Sequence, residues 1–128
     1  MRSDWLLTTP VEDLGAIAAR RVTRVMLEFD GPQMTVLVDA HGTYVALAVD
    51  EDHSGVRWLQ VPISPVDLSV LERGALPVRD IFEQEGVAVV DYAHGADRPG
   101  AAWLLAGWVI PDAVLPRRGV RLARNPDD

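Results

Sequence analysis

The chain contains no cysteine. That absence removes disulfides, thiolate nucleophiles and every zinc or iron–sulfur site that needs a sulfur ligand. It also fits a reducing compartment, where disulfides are rare. Lysine is missing too, so all 12 basic residues are arginine. Without lysine no phosphate-cradling GxxxxGK[ST] loop can be completed, and no GxGxxG run occurs. Alongside abundant alanine, valine and glycine, the all-arginine usage reads as the codon bias of GC-rich DNA. Long apolar runs are lacking as well: the longest, residues 101–110, is strand-sized and falls well short of the roughly 18 residues of a membrane span. The opening MRSDWLLTTPVEDLG shows no secretory pattern, because Asp4 stands where an apolar run would begin and Pro10 and Glu12 close it. A cytoplasmic protein without membrane association is the expectation.

What is present suits one domain. The 128 residues are 48% hydrophobic, enough for a true core. The net charge of −7 is unevenly placed: residues 25–116 carry 4 Arg against 14 acids, residues 1–24 carry 4 Arg against 3 acids, and residues 117–128 carry 4 Arg against 2 acids. Duplex affinity rests largely on basic side chains displacing counterions, so the acidic body disfavours direct nucleic-acid binding. The tail arginines 117, 118, 121 and 124 form a basic strip best read as a solvated tail.

Local patterning predicts an α+β domain. Thr9 as N-cap, Pro10 at the first helical position and Glu12 in a capping box start an N-terminal helix, with Val11, Leu14, Ile17 and Ala18 on one face and Arg20 and Arg21 near its negative end. Three strands follow at 24–30, 33–39 and 43–50, separated by the turn signals DGP and DAHG. The stretch 43–50 is apolar on both faces, as a central strand covered on both sides would be. A fourth strand at 56–63 completes a meander. Two short helices come next, the first capped by Ser64 and Pro65 and ended by Gly74, the second over 76–86. Strands at 87–93 and 102–110 complete a mainly antiparallel sheet of five or six strands. The domain is expected to span 1–110, with 111–128 a flexible C-terminal tail.

The strongest chemical candidate is the acidic stretch Asp50, Glu51, Asp52 and His53. Calcium loops alternate their ligands as D-x-D-x-D-G so that they converge on one centre, whereas consecutive acids in extended backbone point to opposite sides. With Ser54 and Gly55 behind them, these residues read as a charged hairpin turn. His41, His53 and His94 each sit in a predicted loop, and no pair has the i, i+4 spacing of a helical metal site. The serines lie in no G-x-S-x-G elbow. No catalytic residue and no cofactor is assigned. Trp103 and Trp108 are five positions apart, so on a regular strand they face opposite sides: either one of them, with Trp5, is an exposed anchor for a partner, or helices cover both sheet faces.

Four segments, FDGP (29–32), VDED (49–52), RWLQVPIS (57–64) and LSVLERGALPVRDIF (68–82), give the middle of the chain a pattern that resembles a family of small uncharacterised bacterial proteins, a domain of unknown function. The resemblance spans residues 29–82. It implies that the acidic turn, strand and helix belong to one domain, and it implies no catalytic residue. The functional expectation is a small acidic non-enzymatic subunit that regulates or inhibits a larger partner with a basic surface, in the manner of an antitoxin, immunity or defence-accessory protein. Asp50, Glu51, Asp52, Arg57, Trp103 and Trp108 are the candidate partner contacts. The alternatives are a metal-dependent hydrolase or nuclease built on residues 50–53, and a homodimer paired through a sheet edge.

Overall fold

Met34, Val36 and Val38 alternate with Thr35 and Leu37, and in the computed structural model of the chain they lie within a strand whose two faces serve different purposes. The structure describes residues 9–28, 32–84, 86–105, 110, 115–116, 119–120 and 122. Its elements are α1 (Leu14–Ala18), β1 (Arg21–Glu28), β2 (Pro32–Asp39), β3 (Gly42–Asp52), β4 (Gly55–Pro62), α2 (Pro65–Glu72), α3 (Val78–Phe82), β5 (Ala88–Ala93) and β6 (Ala101–Leu104). The strands form one six-stranded sheet in sequence order, and every neighbouring pair is antiparallel. The protein is therefore α+β and mainly sheet. Among the described residues no helix is long and apolar enough to cross a membrane.

One face of the sheet carries the main core. Met34, Val45, Leu47, Leu59, Val61 and Val89 point to it, and α2 and α3 close it with Leu71, Val78, Ile81 and Phe82. Phe82 and Leu71 are wholly buried, each contributing roughly 1.5–3 kcal/mol of transfer free energy. Ser64 caps α2 by accepting a hydrogen bond from the Asp67 N–H at 3.1 Å, with Pro65 in the first turn. An Arg24–Glu72 ion pair ties β1 to α2. On the opposite face α1 covers only one side: Ile17 packs with Ala88, Val90 and Ala102 of β5 and β6. The remainder of that face carries a separate small cluster of Leu37, Tyr44 and Ala46 with Trp58.

The start of the chain departs from expectation. Asp13 is the N-cap of α1, its carboxylate accepting from the Gly15 N–H at 2.9 Å. Pro10 instead bridges to Trp103, Val11 N–H donates to the Ala102 carbonyl, and Leu104 N–H donates to the Thr9 carbonyl. The backbone groups of residues 9–11 bond to the edge strand β6, so the chain there stays extended despite its local capping signals. Arg21 is the first residue of β1 rather than the end of a helix. Along β1 the register slips between Val22 and Arg24, between Val25 and Leu27 and between Leu27 and Glu28. Val25 therefore pairs with Thr35 and Leu27 with Met34, adjacent β2 residues that face opposite sides, and the expected alternation of β1 is broken. Beyond residue 110, Leu115 and Leu122 pack against the core, and Val78 N–H donates to the Val120 carbonyl at 2.8 Å.

Candidate binding cleft on the open sheet face

Because α1 covers only β5 and β6, the neighbouring strands leave a mixed set of apolar and polar residues open at aligned positions of the same face. Thr35 lies opposite Ala46, and Ala46 lies opposite Gln60. Ala48 lies opposite Trp58, and Val56 opposite Tyr92. All of these but Ala48 line a cleft of about 620 Å³ whose rim includes Val22 and Val25 of β1, Ala93 at the end of β5 and residues 94–97 beyond it. That volume falls within the roughly 300–1,000 Å³ of ordinary ligand sites. Leu37, Ala46, Val56 and Trp58 make the floor apolar.

The polar end of the cleft is built around Arg20, which links α1 to β1. Its N–H donates to the Ile17 carbonyl at 3.0 Å, closing the helix and fixing where the side chain emerges. The guanidinium lies 3.9 Å over the Tyr44 ring, a close cation–π contact. Its Nη1 donates to Gln60 Oε1 at 2.9 Å. Its Nε is buried without a hydrogen-bond acceptor, the nearest carboxylate oxygen being Asp39 Oδ2 at 3.9 Å. The other Asp39 oxygen accepts from the N–H groups of His41 and Gly42, at 2.7 and 3.1 Å, and from the Tyr44 hydroxyl at 3.3 Å. Burial alone would raise the Asp39 carboxyl, but these three donors and the nearby His41 outweigh it and hold the group below its ordinary value. For Tyr92 the balance is reversed. Burial pushes its phenol above the ordinary value, and the Gln60 amide and Arg20 charge offset this only in part.

The acidic stretch forms the end of the β3–β4 hairpin. Asp52 pairs with Gly55, leaving His53 and Ser54 as the turn. One Asp52 oxygen accepts from the Ser54 N–H and hydroxyl at 2.8 and 2.5 Å and from the Gly55 N–H at 3.3 Å, so this carboxylate caps its own turn. Glu51 is exposed, with its carboxylate 4.0 Å from His94 Nδ1, while His94 Nε2 lies 2.8 Å from the Asp52 carbonyl. His41 and His53 sit in the turns at opposite ends of β3, so the three histidines do not converge. Among the described residues no three His, Asp or Glu side chains gather as a metal cage requires.

The other predicted contacts fall on the core side. A bulge at Val49 sets Asp50 opposite Arg57. Arg57 is buried in a two-pronged ion pair with Asp91, and its guanidinium lies 5.4 Å from the Trp103 ring. Trp103 is half-buried against the main core. Asp50, Arg57 and Trp103 thus share one region, Glu51 and Asp52 sit at the hairpin tip, and Trp108 lies outside the described residues. Arg20, Gln60 and Tyr92, which line the cleft, and Tyr44, which lies under Arg20, were not singled out from sequence as site residues. Their signal was faint: a lone Gln within WLQVPI and a lone Thr within MTVLV, polar residues that align only when the strand register is known.

No known family model, no curated protein and no solved structure matches the chain.

Proposed function

We propose that this protein is a small acidic, non-enzymatic subunit that acts in the cytoplasm by docking on and regulating a larger partner, and that the partner docks along β1. The observation that carries this reading is the edge itself. Among the described residues β1 pairs only with β2, and it exposes Val22, Val25 and Leu27 at 59%, 42% and 46%. An edge strand with free N–H and C=O groups and apolar side chains on both faces can receive a partner strand by backbone pairing. Single exposed apolar residues are ordinary, but three along one edge form a patch. The acidic body supports a partner with a basic surface, because complementary charge speeds encounter and disfavours wrong partners. Asp52 is engaged in its turn and Arg57 in a buried pair, so Glu51 is the residue of the acidic stretch best placed to meet such a surface.

The test is affinity purification of the tagged chain from its host at low salt, with mass spectrometry of what accompanies it. A stoichiometric partner is expected with the native chain, weakened by salt, and absent with Leu27→Asp or Val22→Asp. A solitary protein, or a partner retained by both variants, would overturn docking along this edge.

A further inference from the structure

We propose that the cleft on the open sheet face is a binding site for an amphipathic organic carboxylate, whose apolar body lies on Leu37, Ala46 and Trp58 and whose headgroup meets Arg20. This inference does not rest on docking along β1, but Val22 and Val25 border both surfaces, so only Leu27→Asp tests the edge apart from the cleft.

Three observations meet at this site. The first is shape and lining: the floor is apolar from Val56 to Trp58, and polar side chains gather at one end around Gln60. Gln60 and Val56 are four residues apart on β4, so the floor between them is about 13 Å long at strand spacing. That matches a medium-length chain lying along the strand. The second is charge. Arg20 has no carboxylate within hydrogen-bond distance, since Asp39 stands at 3.9 Å and the carboxylate oxygen nearest the turn is occupied by three donors of its own. Arg21 also lines the cleft, and the one acid among the described lining residues, Asp97, stands on the rim beside His94 after β5, so an anionic head is favoured at the Arg20 end. The third is an unfilled bonding capacity. A guanidinium has five N–H donors in a fixed fork, and among the described residues Arg20 makes one hydrogen bond, to Gln60, with a buried Nε unpartnered. A buried donor left unmade is a standing energetic cost that native proteins rarely tolerate without a purpose. The Tyr44 ring lies under the guanidinium, 3.9 Å from its centre.

A carboxylate is the acceptor whose planar geometry matches that fork, and its charge-assisted bonds exceed those of a neutral hydroxyl. The probes are decanoate, decanol and decyltrimethylammonium, titrated into the full-length protein by calorimetry, with side-chain NMR signals of Trp58, Gln60 and Arg20 reporting the location. Decanoate is expected to bind one-to-one, about tenfold or more tighter than decanol, the worth of one charge-assisted hydrogen bond. Arg20→Gln should erase that preference, lowering decanoate affinity by much more than decanol affinity. Should Arg20→Gln fail to fold, Val25→Glu on the exposed rim serves instead: the added like charge should weaken decanoate and strengthen the cationic probe. Equal affinity for acid and alcohol, preference for the cation, shifts confined to residues outside the cleft, or no binding at millimolar probe would each overturn the assignment. Cleft signals that move only on addition of a partner protein would give the cleft to that partner and also refute it. Loss of the partner in Leu27→Asp bears on the edge alone, because Leu27 is not among the residues lining the cleft.

Discussion

Arg57 Nε and Nη2 each donate to a different oxygen of Asp91, at 2.7 and 2.8 Å, from directly opposed positions on β4 and β5. The pair faces the core side of the sheet with the Trp103 ring of β6 beside it, so one fork joins three strands. Such a pair gains less over an apolar replacement than its geometry suggests, because both ions have left water. Removing one partner is different. Asp91→Ala should lower the unfolding free energy by about 3 kcal/mol, since it takes the two-oxygen acceptor of the fork away from a buried guanidinium. The double replacement Arg57→Met with Asp91→Leu should recover most of that loss. Urea unfolding of the single and double variants tests this, and a single-variant loss below about 1 kcal/mol would show that the pair is solvated in effect.

Gly55 begins β4 opposite Ala93 of β5. A Cβ built there would stand 2.0 Å from the Tyr92 carbonyl oxygen, a backbone atom that no side-chain rotation can move away. Gly55→Ala must therefore push the two strands apart next to the Val56–Tyr92 pair. The expected cost is about 3 kcal/mol, the upper end of ordinary overpacking. Thermal unfolding of Gly55→Ala beside Gly42→Ala separates crowding from backbone strain. Gly42 has φ of 153° but open space where the Cβ would go, so only the Gly55 variant should show the full loss.

Much of this architecture could be read from local signals. The alternation of 33–39, the two-faced apolar run of 43–50 and the Ser64–Pro65 start of α2 all correspond to elements whose local preference agrees with their tertiary setting. The hairpin at Asp52 was legible for the same reason: a short acidic, Ser- and Gly-containing turn between two strands. Where reading failed, long-range pairing decided. Thr9, Pro10 and Glu12 satisfy a helix start, yet the backbone of residues 9–11 bonds to β6, and nothing local announces that partner. The β1 bulges insert residues without altering composition, so the face of Val25 could not be inferred from alternation. Arg20 looked like a charge at a helix end because Tyr44, Gln60 and Asp39, 19 or more positions away, become its neighbours only in the folded sheet.

Asp39 makes acid stability a local question. Its folded carboxyl lies below the ordinary value of 3.8. A depressed carboxyl stabilises the fold above the unfolded value, and that stabilisation is lost as pH falls through the folded value. The wild-type chain should therefore lose stability progressively below about pH 4, in part through Asp39. Asp39→Asn cannot titrate, so its unfolding free energy should be lower near neutrality and should fall less steeply on acidification. The remaining carboxylates contribute to both proteins, and the difference between the two pH profiles isolates this residue. Parallel profiles would mean that the donors of His41, Gly42 and Tyr44 do not favour the charged form.

Arg79 joins α3 to the chain beyond residue 110. Its Nε donates to Glu83 Oε1 at 2.5 Å and its Nη1 to the Pro116 carbonyl at 3.1 Å, from a buried position. The same region is held by the Val78–Val120 backbone bond and by Leu115 and Leu122 against the core. Gly74 adds a close approach: its φ is +74°, and a Cβ there would stand 2.7 Å from the Leu122 carbonyl oxygen. Trypsin offers a direct probe, because Arg117, Arg118 and Arg121 fall within this stretch. Arg79→Met should speed cleavage there about tenfold, the factor given by roughly 1.4 kcal/mol less local opening free energy. Gly74→Ala should act in the same direction through a different contact, with cleavage elsewhere in the chain little changed. If Arg79→Met instead speeds cleavage at all sites equally, the residue supports global folding through α3 and Glu83, and its bond to Pro116 contributes nothing of its own.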